Sequence, residues 1–281
     1  MNDTIENLRQ WVGRTEVLED IATAQPVAAM IATLDRRDAL PREGDAIPEG
    51  WHWLYFLEMV PTADLAHDGH IKRGGFLPPV TLPRRMWAGG RLEFKRPIRI
   101  GERMRRESEI LSVDMKSGKS GKLVFVTVKH TVTASKEVAV VEEHDIVYRE
   151  AARPGTPMAE GKYAPGNAVW RHEVMPDEVM LFRYSALIFN AHRIHYDIDY
   201  CRKEGYRGLV VHGPLQTTLL LDLSRRNTSK PVRRLDYRAM SPAFHDEKLL
   251  VGGIPAADGE SAELWTSDVA GNIASIGTAY Y

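Results

Sequence analysis

The strand-like runs of this chain fall into two sets, separated by one stretch rich in Pro, Gly and Ala. That division constrains the fold more than any other feature. The stretch, EAARPGTPMAEGKYAPGNA at 150–168, shows neither the helical nor the strand period. Before it lie WHWLYFLEM, GRLEFKRPI, RMRRESEILSVDM, LVFVTVKHTVTA and KEVAVVEEHDIVYRE, runs rich in Val, Ile and aromatic residues with partial alternation. After it lie AVWRHEVM, RRLDYRAMS, KLLVGGIP and ELWTSDVAGNIASIGTAYY. Helical patterns are expected over 16–36, interrupted by Pro26, near 176–188, and from Pro214 to about Arg226. Strands and helices do not alternate, so the expected class is α+β, with helix material wrapped by antiparallel sheet in each half. The expected organisation is an N-terminal domain over 1–152, a linker over 153–166 and a C-terminal domain over 167–281.

Composition excludes several functions. Lys and Arg number 37 against 38 Asp and Glu, a net charge of −1, and aromatic–basic repeats are missing, so no nucleic-acid partner is expected. No apolar run approaches membrane-spanning length and the first twenty residues lack an apolar signal core, so no membrane association is expected. Cys201 is the one cysteine, which rules out an internal disulfide and fits a cytoplasmic protein. There is neither a Gly-rich dinucleotide fingerprint nor a phosphate loop, and no cofactor is expected.

Chemistry-bearing side chains concentrate in FNAHRIHYDIDY, 189–200, between two apolar segments. Asn190 and His195 would stand about 140° apart on a helix, so they converge only if the chain is irregular between them. His195 suits proton transfer near neutral pH, and Asn190 can hold a water or a carbonyl. In VVHGPLQTTLLLDL, Pro214 fits the first turn of a helix that is apolar almost all round and therefore buried. Gly213 before it lets that helix end offer backbone N–H groups to a developing oxyanion. Together these groups point to proton chemistry beside a carbonyl. His192, His195 and Asp199 share a metal-like spacing, but the segment does not read as a helix, and no metal is expected.

The segment SALIFNAHRIHYDIDYCRKEGYRGLVVHGPLQT, 185–217, resembles the active-site region of the MaoC-like R-specific enoyl-CoA hydratases. In that motif, Ser-Gly-Asp-x-Asn-Pro-x-His followed by His-Gly, the Asp position is Asn190, the Asn position His192, the Pro position Arg193 and the last His His195. The His-Gly pair is His212 and Gly213. The chain looks closer still to the two-domain 3-hydroxyacyl-thioester dehydratases and the itaconyl-CoA and mesaconyl-C4-CoA hydratases, to whose first half GGFLPPVTLPRRMWAGGRLEFKRPIRIGE is similar. The resemblance implies a double hot-dog fold and reversible hydration of a 2,3-enoyl-CoA, with a short dicarboxylic acyl group expected. Alternatives are a general fatty 3-hydroxyacyl-thioester dehydratase, a non-catalytic acyl-CoA-binding protein or a thioesterase.

The resemblance also implies that the N-terminal domain is a degenerate, acyl-CoA-binding copy and that each chain is a pseudo-dimer, for which a homodimer of such chains is one possible assembly. The family's motif Asp and His jointly activate water. Here either His195 works with Asn190 positioning the water, or another carboxylate, such as Asp197 or Asp199, assists. Expected catalytic residues are His195, Asn190 and Gly213. Expected substrate contacts are His192, His212, Arg193 for a distal carboxylate, and Arg84 and Arg85 for the phosphates of CoA.

Overall fold

The computed structural model describes residues 4–118, 121–151 and 161–281. Ten strands form one antiparallel sheet: β1 Thr15–Ile21, β2 Arg84–Phe94, β3 Arg103–Gly118, β4 Gly121–Ala134, β5 Glu137–Arg149, β6 Trp170–Val174, β7 Arg234–Ala239, β8 Leu249–Pro255, β9 Ser261–Ser267 and β10 Ile273–Tyr280. Among the described residues five α-helices accompany them: α1 Ile5–Arg9, α2 Ala24–Thr33, α3 Glu178–Leu187, α4 Ile198–Lys203 and α5 Gly213–Asn227. The strand order is β1-β3-β4-β5-β2-β7-β10-β9-β8-β6. Read from its own outer edge, the second half runs β6-β8-β9-β10-β7, the same order as β1-β3-β4-β5-β2 in the first. The chain is thus two copies of one five-stranded plan, joined where β2 pairs with β7 over Gly89–Glu93 and Arg234–Arg238.

The copies differ in their helices. In the second, α5 is enclosed: every residue from Leu215 to Ser224 is buried. Its polar side chains find partners there. Thr217 and Thr218 donate to the carbonyls of Gly213 and Pro214, and Gln216 Oε1 accepts from Thr266. In the first copy the corresponding stretch holds two short 3-10 turns, Trp51–Leu54 and Thr62–Asp64. The expected strand at WHWLYFLEM is therefore a turn, entered through Gly50 in the left-handed region (φ +83°) and anchored by the buried Trp51. The expected helix over 16–36 divides as well. Residues 15–21 form the edge strand β1, which alternates between half-buried and exposed positions against β3, and only 24–33 are helical. The final apolar run breaks into β9 and β10 at a turn closed by Gly271 (φ +90°).

One core runs through both copies, joining Met30, Trp51 and Leu92 to Leu181, Leu215, Leu220 and Leu264. Most of the expected linker, 153–166, lies outside the described residues. Its described end is held by Lys162 O, which accepts from Ile273 N, and by Ala164 N, which donates to Gly271 O. No helix among the described residues is long and apolar enough to cross a membrane.

The enclosed helix carries one charge into the core. Asp222, 1% exposed, pairs with Arg36 beyond α2, and with Arg225 and Arg226 on its own helix at 3.3 and 2.6 Å. Arg225 also lies over the Trp51 ring, so this ion cluster ties α5 to the first copy. Removing the carboxylate leaves three guanidiniums together in a poorly solvated place. Asp222→Ala should therefore destabilise the protein by about 3–5 kcal/mol, read as a lower urea midpoint with an unchanged slope.

Candidate active site

Helix α3 starts at Asp177, whose carboxylate caps Met180 N, and ends at Leu187. The chain then leaves helical geometry. Phe189 takes a positive φ of +50°, and Asn190 N donates back to Ser185 O. The Asn190 side-chain oxygen accepts from His192 N at 2.8 Å, closing a local Asx-type turn. A 3-10 turn, Arg193–His195, follows. This irregular segment brings Asn190, His192 and His195 into one loop, as their spacing requires.

His195 is 7% exposed, and its Nδ1 lies 2.6 Å from Val210 O. A carbonyl only accepts, so Nδ1 carries the proton and Nε2 is left as a base. The ring stacks on His212 at 3.6 Å between centroids, with 17° between the planes. His212 is fully buried, with Nε2 2.8 Å from Ser185 Oγ and Nδ1 without a partner. It is also the residue that precedes α5, and it makes no side-chain cap, so it leaves the first-turn amides unoccupied by a side chain. Gly213 lies close to Trp87: a Cβ there would stand 3.2 Å from the Trp87 Cβ. Burial pushes the His195 pKa down to about 4 and that of His212 well below its ordinary value, so both rings are neutral at pH 7.

A second loop, from the first copy, completes the site. It docks backbone to backbone through Gly69 (φ +89°), where a Cβ would fall 1.8 Å from Ala191 O. Arg193 N donates to Asp68 O at 2.9 Å across the same contact. Asp68, 5% exposed, accepts from the backbone N of His70 through Oδ1 and meets His70 Nδ1 through Oδ2, both at 3.0 Å. Burial raises the Asp68 pKa, but the hydrogen bonds and the nearby imidazoles outweigh it and hold the carboxyl well below the usual carboxylate range. Burial first, then the Arg85 charge, pushes the His70 pKa down to about 4 against the pull of Asp68. The His70 ring lies 4.0 Å from that of His192, which in turn is 5.5 Å from that of His195. Burial holds His192 neutral as well.

The ligating atoms of Asp68, His70 and His192 fall within 4.8 Å of one another, close enough to surround a small cation. Two of the three, Asp68 and His70, are already joined as a carboxylate–imidazole pair through Oδ2 and Nδ1. Sequence reading missed Asp68 and His70, although HDGH at 67–70 repeats the His-x-x-His spacing of HRIH at 192–195. Both stretches lie between the first helix and the second strand of their copy.

The expected arginines part company. Arg193 is ion-paired with Asp197 at 2.7 Å, donates to His67 O and lies over Tyr200. Its partner caps α4 by accepting from Tyr200 N. Asp199 is 78% exposed and paired with Arg202. Neither aspartate therefore stands with His195, and Arg193 is engaged on its own loop. Arg84 is paired with Glu204 and stacked on Tyr206, which occupies the guanidinium expected at the CoA phosphates. Arg85 turns its charge on the site, acting on His70, His192 and the buried His144, and Arg73 joins it at His70. Opposite it in the sheet is Tyr148, so the two side chains share a face of the β2–β5 pair.

The comparisons agree with this architecture. The hydroxyacyl-thioester dehydratase type 2 family matches residues 50–245. The chain is 47% identical over 236 residues to the mesaconyl-C4-CoA hydratase of Chloroflexus aurantiacus, covering 83% of this chain and 84% of that one. It is 29% identical over 284 residues to the mitochondrial hydroxyacyl-thioester dehydratase type 2 of Schizosaccharomyces pombe, covering 89% and 91%. Among solved structures, a MaoC-like dehydratase superposes with a TM-score of 0.72 at 15% identity over 98% of both chains. A Mycobacterium tuberculosis protein described as a double hot-dog superposes with a TM-score of 0.57 at 15% identity over 96% of both chains. The paired five-stranded copies and the matches along most of the sequence together place this chain in the hydroxyacyl-thioester dehydratase type 2 family, hydro-lyases of double hot-dog fold.

Proposed function

We propose that the protein adds water reversibly across the 2,3 bond of an enoyl-CoA carrying a second, free carboxylate, of the mesaconyl-C4-CoA type. The observation that carries the hydration is His195: buried, neutral, pinned through Nδ1 to Val210 O, and stacked on the residue that opens α5. A thioester carbonyl at the first-turn amides of α5, Gly213 among them, would have its developing oxyanion stabilised by unoccupied donors and the helix end. Water hydrogen-bonded to His195 Nε2 would then stand beside the carbon that receives it. Asn190 supports this indirectly, by fixing the loop through its bond to His192 N.

The carboxylate reading rests on the first copy. It has no long central helix among its described residues, and the inner side of its sheet is polar where a fatty chain would need apolar walls. Glu142, 4% exposed, lies 3.2 Å from His52 Nε2 and accepts from Trp53 Nε1 at 3.0 Å. Beside it, Trp87 Nε1, His144 Nε2, Tyr148 OH and Tyr237 OH are buried and make no well-formed hydrogen bond, although Trp87 faces Tyr237 and Arg85 faces Tyr148. The Trp87 ring lies 3.7 Å from that of His144, and Trp87 also touches Gly213 at the mouth of α5. Buried orphan donors are costly, and a carboxylate is a partner that satisfies several at once. Arg85, near Tyr148 and His144, supplies the matching charge, the role that Arg193 is too engaged to fill. The N-terminal copy would thus be the acyl-binding half, with the boundary and linker near 153–166, and a cytosolic acyl-CoA pool fits the single buried Cys201.

His195→Ala should lower kcat by at least about 100-fold, measured as loss of enoyl absorbance, and, because it strips the buried Val210 carbonyl of its donor, should lower the melting temperature while leaving a cooperative melt. A thioesterase would instead release free thiol from the same sample. The pH dependence follows from burial. The His195 pKa is lowered to about 4, so the base form persists above it and is lost as pH falls towards it. The neighbouring imidazoles of His192 and His70 are pushed down in the same way. kcat/KM should be level from about pH 6 to 8 and fall only in the acid range. For specificity, wild-type kcat/KM should favour mesaconyl-C4-CoA over crotonyl-CoA by at least about tenfold, and Arg85→Met should reduce that ratio. Equal values for both substrates in the wild type would reject the dicarboxylate reading and leave a general enoyl-thioester hydratase.

A further inference from the structure

We propose that Asp68 and His70, on the loop of the first copy, are the unit that carries the proton in this reaction, with His70 as its catalytic residue and Asp68 as its positioning residue. The inference rests on hydration at His195 as described above.

Hydration needs a group that takes a proton from water and returns it to carbon. Asn190 cannot do so, and Asp197 and Asp199 are engaged away from the site. Imidazoles remain, in a chain of rings from His195 through His192 to His70, and the supports at its two ends differ. His195 is backed by a neutral carbonyl, at Val210, and by a stacked His212 that is itself neutral and buried. His70 is backed by a carboxylate, at 3.0 Å from Nδ1, inside the protein. The Asp68 carboxylate is fixed twice more, by the backbone N of His70 and by the docking of its own carbonyl on Arg193 N. When a proton arrives, the cation formed on His70 is hydrogen-bonded to an anion, which offsets the opposing charges of Arg85 and Arg73, whereas one formed on His195 is hydrogen-bonded only to a neutral carbonyl. Hydrogen bonds between ionised partners are about twice as strong as neutral ones, and the poorly solvated surroundings enlarge the difference. A carboxylate in this position also fixes the tautomer, so His70 Nε2 is its free nitrogen.

The step balances within these groups. Water is held by His195 Nε2. His70 Nε2 removes one of its protons as the new O–C3 bond forms. The C2=C3 electron pair moves onto C2 and the thioester oxygen at the α5 amides. The His70 imidazolium then protonates C2, which restores the carbonyl and the neutral ring. His195 thus orients the nucleophile and does not itself hold the proton, and the His192 ring flanks both, 4.0 Å from that of His70 and 5.5 Å from that of His195.

The test is steady-state hydration of mesaconyl-C4-CoA by the full chain and its variants. His70→Gly should lower kcat by at least about 100-fold with KM within about threefold, and added imidazole should restore at least about a tenth of the lost rate. His70→Gln keeps a donor for Asp68, so it should fold normally and stay inactive without being rescued. Asp68→Asn should lower kcat about tenfold at unchanged KM, and Asp68→Glu should recover part of it, a split that a purely structural loop role would not give. Turnover of His70→Gln within about threefold of wild type would overturn the proposal while leaving the hydratase reading intact. So would an activity that EDTA removes and Zn²⁺ restores, which would make Asp68, His70 and His192 a ligand set. A wild type that hydrates no enoyl-CoA overturns the hydratase reading and this proposal with it.

Discussion

The pairing of β2 with β7 is the contact on which the rest depends. It joins two five-stranded copies into one sheet and brings their loops to a common face. Two glycines make the seam possible. A Cβ on Gly89 would stand 2.5 Å from Tyr237 O, and one on Gly90 would stand 2.4 Å from Glu143 O and 2.6 Å from Tyr237 OH. Any larger residue would force the strands apart. The same seam lays Trp87 against Gly213, so the opening of α5 is built jointly by both copies.

From that seam the two copies have diverged in a physically consistent way. The second keeps a fully enclosed helix whose N-terminus carries no side-chain cap. The first has no such long helix among its described residues, and its sheet carries buried polar groups. Such groups are a stability cost unless they are partnered. The Asp222 ion cluster and the shared apolar core hold the arrangement together from the opposite end of α5, where nothing is required of the site.

The site itself follows from low polarity. Four imidazoles crowd together at ring separations of 3.6 to 5.5 Å, and they can do so only because burial keeps them neutral. A neutral cluster is a set of bases waiting for a proton, and the placement of one carboxylate, Asp68, singles out His70 among them. Gly69 makes this possible by letting the loop approach Ala191 more closely than any side chain would permit.

Much of this was legible in the sequence, and the reason is local. Alternation marked β3, β4, β5, β7 and β8 because a half-buried strand must alternate, and the all-round apolar character of 215–223 marked a buried helix. Residues 189–195 could be recognised as non-helical because Asn190 and His195 cannot otherwise meet, and the motif around His195, His212 and Gly213 pointed to acyl-thioester chemistry. Other features depended on contacts between distant segments. Residues 15–21 became a strand because β3 offered an edge, and 51–59 became a turn because Trp51 was needed in the core. The partner of His195 was sought among Asp197 and Asp199, its neighbours in sequence, but Asp197 caps a helix and Asp199 lies in solvent. Arg193, expected at a distal carboxylate, is engaged with Asp197 and His67 O, while Arg85, on a strand more than a hundred residues earlier, turns its charge on the site. Local periodicity determines which elements form. Which side chains converge is decided by how the copies dock, and a pairing across so many residues leaves no periodic trace in either segment.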